Sequence, residues 1–473
     1  MRVRVSEYAT ISTMRVLVLI APESPALTAL APILATLVAR GARVEAGLAA
    51  GALRAERLEV TEHLDERALD QAAASLTRAD LLIAPAGSDA DPTAIVAITR
   101  ALLADETGPL LLVDPSGIGD LLTDLDASDR LEALRGELRR DAALAIARRV
   151  APLVRNLDEP MSMREVIVLE RIRTFGHGEN QHQLAAAYRR ASSAGTGILA
   201  ARVIQGREPS MNDLLDLDAG ARLVADLPTP SVALIRHTDP IGVATAETAL
   251  GALTRAIDTD PAASSGSTLV SNVPIDHAVA AIVAAGTFES VLAPAFADER
   301  AAEVLRARPE LTVVLDSAAR EPELDMIGVS GAVLLQTADS GNIERSQLRV
   351  VTERRPTLDE LTDLLFSWRV VRHVRSNAIV VARNAATLGI GAAQVNRRVA
   401  VEIAVNQAGE RARGAVMASD AYFPFAEGIA FAAAAGITAI VQPGGSRRDA
   451  AAIEIADRHG IAMVFTGRRH YRR

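Results

Sequence analysis

The chain has 473 residues, 49% of them hydrophobic and only 3% aromatic, with a formal charge of −9 and a pI near 5.5. That length predicts two to four domains with substantial cores, packed mainly by Ala, Val, Leu and Ile. The acidic balance excludes a general nucleic-acid binder, which presents a basic face, but leaves room for a small anion held by a local arginine cluster.

The chain contains no cysteine and no lysine. Disulfides, thiolate nucleophiles and Cys-ligated metals are thereby excluded, as are a lysine Schiff base and a phosphate-binding lysine. Either replacement of Lys by Arg in a GC-rich genome, the favoured reading, or selection against reactive amines near an electrophile would account for the second absence. No stretch has the length and uniform apolarity of a membrane span. The opening residues lack a signal-peptide pattern, so a cytoplasmic protein is expected.

From Met14 to about Asp158, short apolar runs alternate with Ala-rich helical stretches. RVLVLIA reads as a strand and Ala26–Arg40 as a helix, with Gly41 as its C-cap. ARVEAGLAA, ADLLIAPAG, a helix near Ala94–Ala104 and the strand GPLLLVDPSG follow, and a helix over Leu131–Val154 leads out. This alternation predicts an α/β domain with a parallel sheet over 14–158. A second region, 165–345, opens with REVIVLERIRTFGHGENQHQ and runs through SVALIRHT and SVLAPAF to LTVVLDS and GAVLLQT. A third, 346–473, carries the helix LTDLLFSWRVVRHVRS, the strand NAIVVAR and a Gly-rich turn GIGAAQ. GAVMASDAYFPF, GITAIVQPGG and GIAMVFTG then follow. The second and third regions read as two separate α/β layers. In the third, polar groups and tight turns come just after apolar strands, where open α/β sheets bind ligands. Gly389, Gly391, Gly444 and Gly445 would let a backbone approach a ligand closely.

The order of these motifs resembles the formyltransferase half of the bifunctional purine-biosynthesis enzymes, which act on the aminoimidazolecarboxamide ribonucleotide AICAR. That family carries a KSNAIV-like run, GIGAGQ followed by S and R, SDAFFPF, QPGGS and a closing MVFTGxRHF. Upstream, GENQHQ stands where the family has GENPHQ, and IRHTDPIGVAT where it has KHTNPCGVAT. The resemblance covers roughly Glu165 to Arg473. It implies an α/β fold: a methylglyoxal-synthase-like N-terminal domain, then a formyltransferase half of two cytidine-deaminase-like subdomains. It also implies a homodimer with a small-molecule nucleotide substrate, and neither nucleic acid nor membrane as partner. The co-substrate is 10-formyl-tetrahydrofolate, and some members hold a potassium ion.

The resemblance implies site residues position by position. A Lys-His pair and an Asn form the family's reaction centre; here they are Arg236, His237 and Asn377. Arginine keeps the positive charge but is planar and does not lose a proton. A lone His after a strand is more often structural, but within this motif the catalytic role is favoured. On the acceptor side stand Gly266, Glu289, Arg397 and His182, with Arg469 for the phosphate and Tyr471 beside it. A bidentate arginine contact suits a phosphate. The folate positions are Asn396, Arg398, Tyr422, Pro424, Glu427 and Ser446; the bland alternative makes DAYFPF a core turn. No residue is assigned to a metal.

The departures cluster on the acceptor side. The arginine of the family's RYGENPHQ is Gly176 here and its tyrosine is His177, with Arg173 nearby as a candidate replacement. Asp239 replaces an Asn, and SAFGG around Gly266 is lost. The acceptor expected from the resemblance is AICAR or a related aminocarboxamide heterocycle, and these departures point to the related heterocycle, in a specialised nucleoside pathway. LLLVDPSGIGDLL resembles the family's VVVDPADY stretch. The cyclohydrolase motifs ISTGGT and GRVKTLHPKIHGG are not found, so that activity is expected to be lost. A non-catalytic paralogue that binds a nucleotide or scaffolds a partner is the rival reading.

Overall fold

The computed structural model describes residues 165–190, 197–316 and 324–473 continuously. Before residue 165 it describes 15–18, 30, 34, 35, 37–40, 42–46, 60–62, 81–84, 97–99, 101, 102, 110–113, 128–154 and 161. The chain divides into two compact units, 1–170 with 190–192, and 171–189 with 193–473.

In the first unit, β1 (Arg15–Val18), β2 (Arg43–Ala46), β3 (Val60–Glu62), β4 (Leu81–Ile83) and β5 (Leu110–Leu112) form a parallel sheet in the order β3-β2-β1-β4-β5. The runs VLV, LLI and LLL are apolar without alternation, as in parallel strands buried on both faces; Val16, Val18, Leu82 and Leu111 are buried. Helix α1 (Ser128–Val154) anchors through Arg139, which donates to the carbonyls of Ala101 and Leu102. The expected strands and helices are present where residues are described, including helical turns at 37–39 and 97–99. Gly41 and the DPSGIGDLL stretch lie outside the described residues.

The second unit is built on a twelve-stranded sheet, β16-β21-β20-β19-β17-β18-β10-β9-β11-β12-β13-β8. Its first half contains β8 (Arg202–Gln205), α2 (Met211–Ala225), β9 (Ser231–Arg236), β10 (Asp239–Thr245), α3 (Ala249–Ile257), β11 (Thr268–Ser271), α4 (His277–Ala285), β12 (Ser290–Ala293), α5 (Glu299–Arg306) and β13 (Thr312–Leu315). Its second half contains β16 (Arg349–Val350), α6 (Leu358–Arg372), β17 (Ile379–Arg383), β18 (Ala386–Gly391), α7 (Arg397–Ala408), β19 (Val416–Ser419), α8 (Glu427–Ala434), β20 (Ala439–Gln442), α9 (Asp449–Arg458) and β21 (Ala462–Phe465). The two regions read as separate layers from the sequence are therefore one continuous sheet. They join where β10 and β18 pair antiparallel at Ala244 and Ala386, with the Thr245 amide donating to the Ala385 carbonyl.

The strand order reads alike outward from this seam: β18-β17-β19-β20-β21 on one side and β10-β9-β11-β12-β13 on the other. The first helix of each half is opened by a capping box, Ser210 with Asp213 in α2 and Thr357 with Glu360 in α6, which satisfies otherwise orphaned backbone donors. Each continues into a hairpin with a two-residue turn, and then a helix packed against the second hairpin strand. Gly242 of β10 and Gly389 of β18 make that packing possible. A Cβ on either would strike a helix carbonyl, that of Ala256 or Ala404 respectively.

Two further hairpins stand outside this sheet: β6 (Leu169–Phe175) with β7 (Ala185–Arg190), and β14 (Leu324–Val329) with β15 (Ala332–Thr337). GAVLLQT thus forms part of a separate hairpin rather than closing the layer. Among the described residues, no helix is long and apolar enough to cross a membrane.

Candidate active site

The pairing directions bring the candidate residues to one rim of the large sheet. β17 runs antiparallel to β18 and β19, β18 to β10, β10 to β9 and β9 to β11, while β11 and β12 are parallel. The carboxyl ends of β9, β18, β19, β20 and β21 therefore share a rim with the amino ends of β10, β11, β12 and β17. The sequence expectation of carboxyl-end loops describes part of this rim only. Gly266 and Glu289 precede β11 and β12, and Asn377 precedes β17.

His237 and Thr238 form the turn between β9 and β10, and both have positive φ, 54° and 66°. This left-handed conformation is uncommon outside glycine. The turn is held by Asp216 of α2, whose two carboxylate oxygens accept from the amides of His237 (3.2 Å) and Thr238 (2.6 Å). Burial raises the Asp216 carboxyl above its ordinary range, against the opposing pull of these two amides. Arg236, at the end of β9, donates through Nη1 to the Ser265 carbonyl (3.0 Å). The virtual Cβ position at Gly266 lies 3.5 Å from Glu289 Oε1 and 3.7 Å from Arg236 Nη2. Arg236, Gly266 and Glu289 are thus neighbours, beside the His237 turn.

The Asn377 segment is tied to that turn. Arg375 donates from its amide (2.9 Å) and Nε (2.8 Å) to the Asp239 carboxylate, and from Nη2 to the His237 carbonyl (3.2 Å). Asp239, the departure from the family's Asn, is therefore matched by a cation. Asn377 donates through Nδ2 to the Gln394 carbonyl (2.6 Å) and accepts from Arg397 Nη2 (2.7 Å). Arg397 is buried, and its Nη1 is taken up by Ser419 Oγ (2.7 Å) and the Asp420 carboxylate. Asp420 also accepts from Ser376 Oγ. The guanidinium of Arg397 thus holds the Asn377 side chain.

The C-terminal segment is strapped to the same network. Ser376 donates from its amide to the Arg472 carbonyl (2.8 Å), Arg472 returns its amide to Ser376 Oγ (3.0 Å), and His470 donates to the Asp420 carbonyl (2.9 Å). His470 is buried beside Trp368, ring centroids 4.9 Å apart. Arg469 and Tyr471 point outward from this strap, exposed, with the guanidinium 5.6 Å from the Tyr471 ring centroid. Burial lowers the Arg472 guanidinium pKa below its ordinary value, with Asp239 opposing.

The folate candidates lie on neighbouring loops. Tyr422 is exposed. The Pro424 carbonyl accepts from Arg448 Nη1 (3.4 Å), whose guanidinium lies 4.6 Å over the exposed Phe425 ring. Ser446 Oγ accepts from the Arg448 amide (3.1 Å). Asn396 caps α7 by accepting from the Arg398 amide (2.9 Å), Arg398 pairs with Glu402 (2.8 Å), and Glu427 opens α8. A cavity of about 390 Å³ lined by Gln347, Arg349, Gly444, Gly445 and Phe465 holds none of these candidates in its wall, although Ser446 follows Gly445 directly.

Two expectations fare differently. His182 sits in the exposed turn of the β6–β7 hairpin, a sheet separate from the one carrying His237. Arg173, the candidate replacement for the missing arginine, donates to Glu208 (2.7 Å) and the Pro209 carbonyl (2.8 Å) and lies over Phe175. Asp216, Arg375, Ser376 and Asp420 are the site-building residues that motif reading missed.

Fold and site define an α/β protein with a polar centre on one rim of a duplicated mixed sheet. The family model described as "AICARFT/IMPCHase bienzyme" matches residues 110–407. The chain belongs to this family. It is 44% identical over 298 residues to the bifunctional purine biosynthesis protein PurH of Anoxybacillus flavithermus, covering 63% of this chain and 58% of the relative. The PurH protein of Trichodesmium erythraeum is 43% identical, with 66% and 60% covered. That of Shouchella clausii is 36% identical over 442 residues, with 91% and 86% covered. The first two matches thus span about three-fifths of those relatives' lengths.

Proposed function

We propose that the protein transfers a formyl group from 10-formyl-tetrahydrofolate to the amine of AICAR or a related aminocarboxamide heterocycle. The chemistry sets the demands. The acceptor amine is a poor nucleophile because its lone pair is delocalised into the ring, so a base must take its proton as it attacks the formyl carbon. The C–N bond to the acceptor forms, and an oxyanion develops that needs a donor. The bond from folate N10 to the formyl carbon then breaks, and N10 receives the proton.

His237 is the base in this reading, Arg236 supplies positive charge to the oxyanion, and Asn377 orients the reacting groups. Glu289 and Gly266 border the acceptor, and Arg469 with Tyr471 takes its phosphate. Asn396, Arg398, Tyr422, Pro424, Glu427 and Ser446 face the folate, and His182 remains an acceptor-side candidate. Arg397 acts by holding Asn377. The observation that carries the reading is the link through Arg375, which bonds both Asp239 and the His237 carbonyl two residues before Asn377.

A cytoplasmic homodimer is part of the proposal. The β14–β15 hairpin supports it, because Ile327, Val333 and Leu334 are exposed on an arm outside the main sheet, and isolated hairpins are marginal in water. Among the described residues no group of three or more His or acidic side chains fits a metal ion. The N-terminal unit is read as having lost cyclohydrolase activity; cyclisation of formyl-AICAR by this protein would contradict that.

One observation favours the rival, non-catalytic reading: the Arg236 guanidinium is already bonded to the Ser265 carbonyl. The two readings separate in a formyl-transfer assay of the purified protein and of His237→Ala. An enzyme loses turnover in the variant while keeping its fold; a binding paralogue shows no turnover in either.

A further inference from the structure

The hairpin turn that carries His237 has an internal twin. In the second half, Asn384 and Ala385 form the turn between β17 and β18, and both have φ of 54°. Asp363 of α6 accepts from the amides of Asn384 (2.8 Å) and Ala385 (2.7 Å). The carboxylate lies 21 and 22 residues before the two turn residues in both halves. Even the oxygens correspond: Oδ2 takes the first amide and Oδ1 the second in each. The neighbouring arginine is duplicated too. Arg236 donates to the Ser265 carbonyl and Arg383 to the Arg413 carbonyl, each ahead of a glycine with positive φ, Gly266 (73°) or Gly414 (77°).

The twin separates scaffold from chemistry. It lies on the opposite rim, because β17 runs antiparallel to β18, which in turn runs antiparallel to β10. It keeps the aspartate, the arginine and the glycine but has no histidine at its turn. What the first half adds is His237 itself. A two-residue hairpin turn with both residues left-handed normally relies on Asn-Gly or a similar pair. Histidine tolerates the left-handed region better than most residues, but the β-branched Thr238 does not, so the conformation needs support from outside the turn. Asp216 is the group that imposes it, satisfying both amides at once.

We propose that Asp216 is a positioning residue for the formyl transfer: its carboxylate fixes the left-handed His237–Thr238 turn and so aims the imidazole at the reacting amine. This rests on the reading of His237 as the base. Asp216 acts through the backbone amides of His237 and Thr238, which it holds by hydrogen bonds. Loss of its second acceptor lets the turn relax and the imidazole leave its place.

The test compares Asp216→Asn, Asp363→Asn and His237→Ala, each with kcat, KM for both substrates and thermal midpoint. Both Asn variants keep one acceptor and are expected to fold with similarly lowered midpoints. Asp216→Asn is expected to lose about a hundredfold in kcat with KM within about threefold, while Asp363→Asn keeps kcat within about twofold. Adding Thr238→Gly to Asp216→Asn presets the left-handed turn, since glycine adopts it without a cap, and is expected to restore about tenfold in kcat. Equal kcat in Asp216→Asn and Asp363→Asn, with His237→Ala inactive, overturns the inference and leaves the base assignment standing. Failure of Thr238→Gly to restore any activity also overturns it, because a carboxylate acting on substrate would not be replaced by a glycine. Full activity of His237→Ala overturns the base assignment, and the inference with it.

Discussion

Asp420→Asn tests the buried network that holds Asn377. The Arg397 and Asp420 side chains are 5% and 0% exposed. Removing the charge of Asp420 leaves a buried guanidinium without its counter-ion, and breaking such a pair costs about 3–5 kcal/mol. The Ser376 hydroxyl loses a charged acceptor in the same step. For a unit of this size, that cost lowers the thermal midpoint by roughly 5–15 °C. Activity falls as well, because Arg397 Nη2 donates to Asn377 Oδ1 at 2.7 Å; a loss of about 1.4 kcal/mol in orienting that side-chain amide is a factor of about ten in kcat. The double variant Arg397→Met/Asp420→Asn separates the two effects. It removes both charges and is expected to regain most of the midpoint, but not the turnover, since nothing then holds Asn377. Differential scanning calorimetry with steady-state formyl transfer checks both. A midpoint within 2 °C of wild type in Asp420→Asn (roughly 1 kcal/mol or less), or full turnover in the double variant, refutes the reasoning.

Gly389→Ala should destabilise by about 2 kcal/mol or more, since its Cβ meets the Ala404 backbone carbonyl, whereas Gly176→Ala, with open space around it, should leave the thermal midpoint unchanged. Glu360 is held down to about 2 from 4.5: burial alone would raise it, but hydrogen bonds from Arg354, Thr438 and the Thr357 amide outweigh that. A depressed carboxylate contributes stability above its unfolded pKa, and that contribution is lost as pH falls through the folded one. The midpoint difference between wild type and Glu360→Gln should therefore be full above about pH 4.5 and shrink toward pH 2. Arg236→Lys keeps the positive charge at the reaction centre and is expected to retain kcat within about tenfold, whereas Arg236→Leu is expected to lose about a hundredfold or more.

Much of the fold is legible in the sequence because its strands are unbroken apolar runs. SVALIR and IVVAR read as buried strands and become β9 and β17. The continuity of the sheet is not legible: it depends on Ala244 meeting Ala386, two small residues with no local signature. The motifs mark His237 and Asn377, but not what holds them. In NRRV, two adjacent arginines look alike, yet helix geometry sends Arg397 inward to Asp420 and Arg398 outward to Glu402. Asp216 was within reach of sequence reading. The same aspartate-to-turn spacing recurs in both halves, and a search for internal repeats would pair Asp216 with Asp363. The pairing of Arg173 with Glu208 was likewise not legible, because proximity in sequence to Gly176 says nothing about a partner 35 residues away.

Whether His237 serves as base in formyl transfer is decided by product formation. Purified protein is given 10-formyl-tetrahydrofolate with AICAR and with a panel of related aminocarboxamide ribonucleotides, and formylated product is quantified for wild type and His237→Ala. Product is expected from at least one acceptor, with a loss of about a hundredfold or more in the variant. Folded wild-type protein that forms no product with any of these acceptors, or a His237→Ala variant as active as wild type, would contradict it.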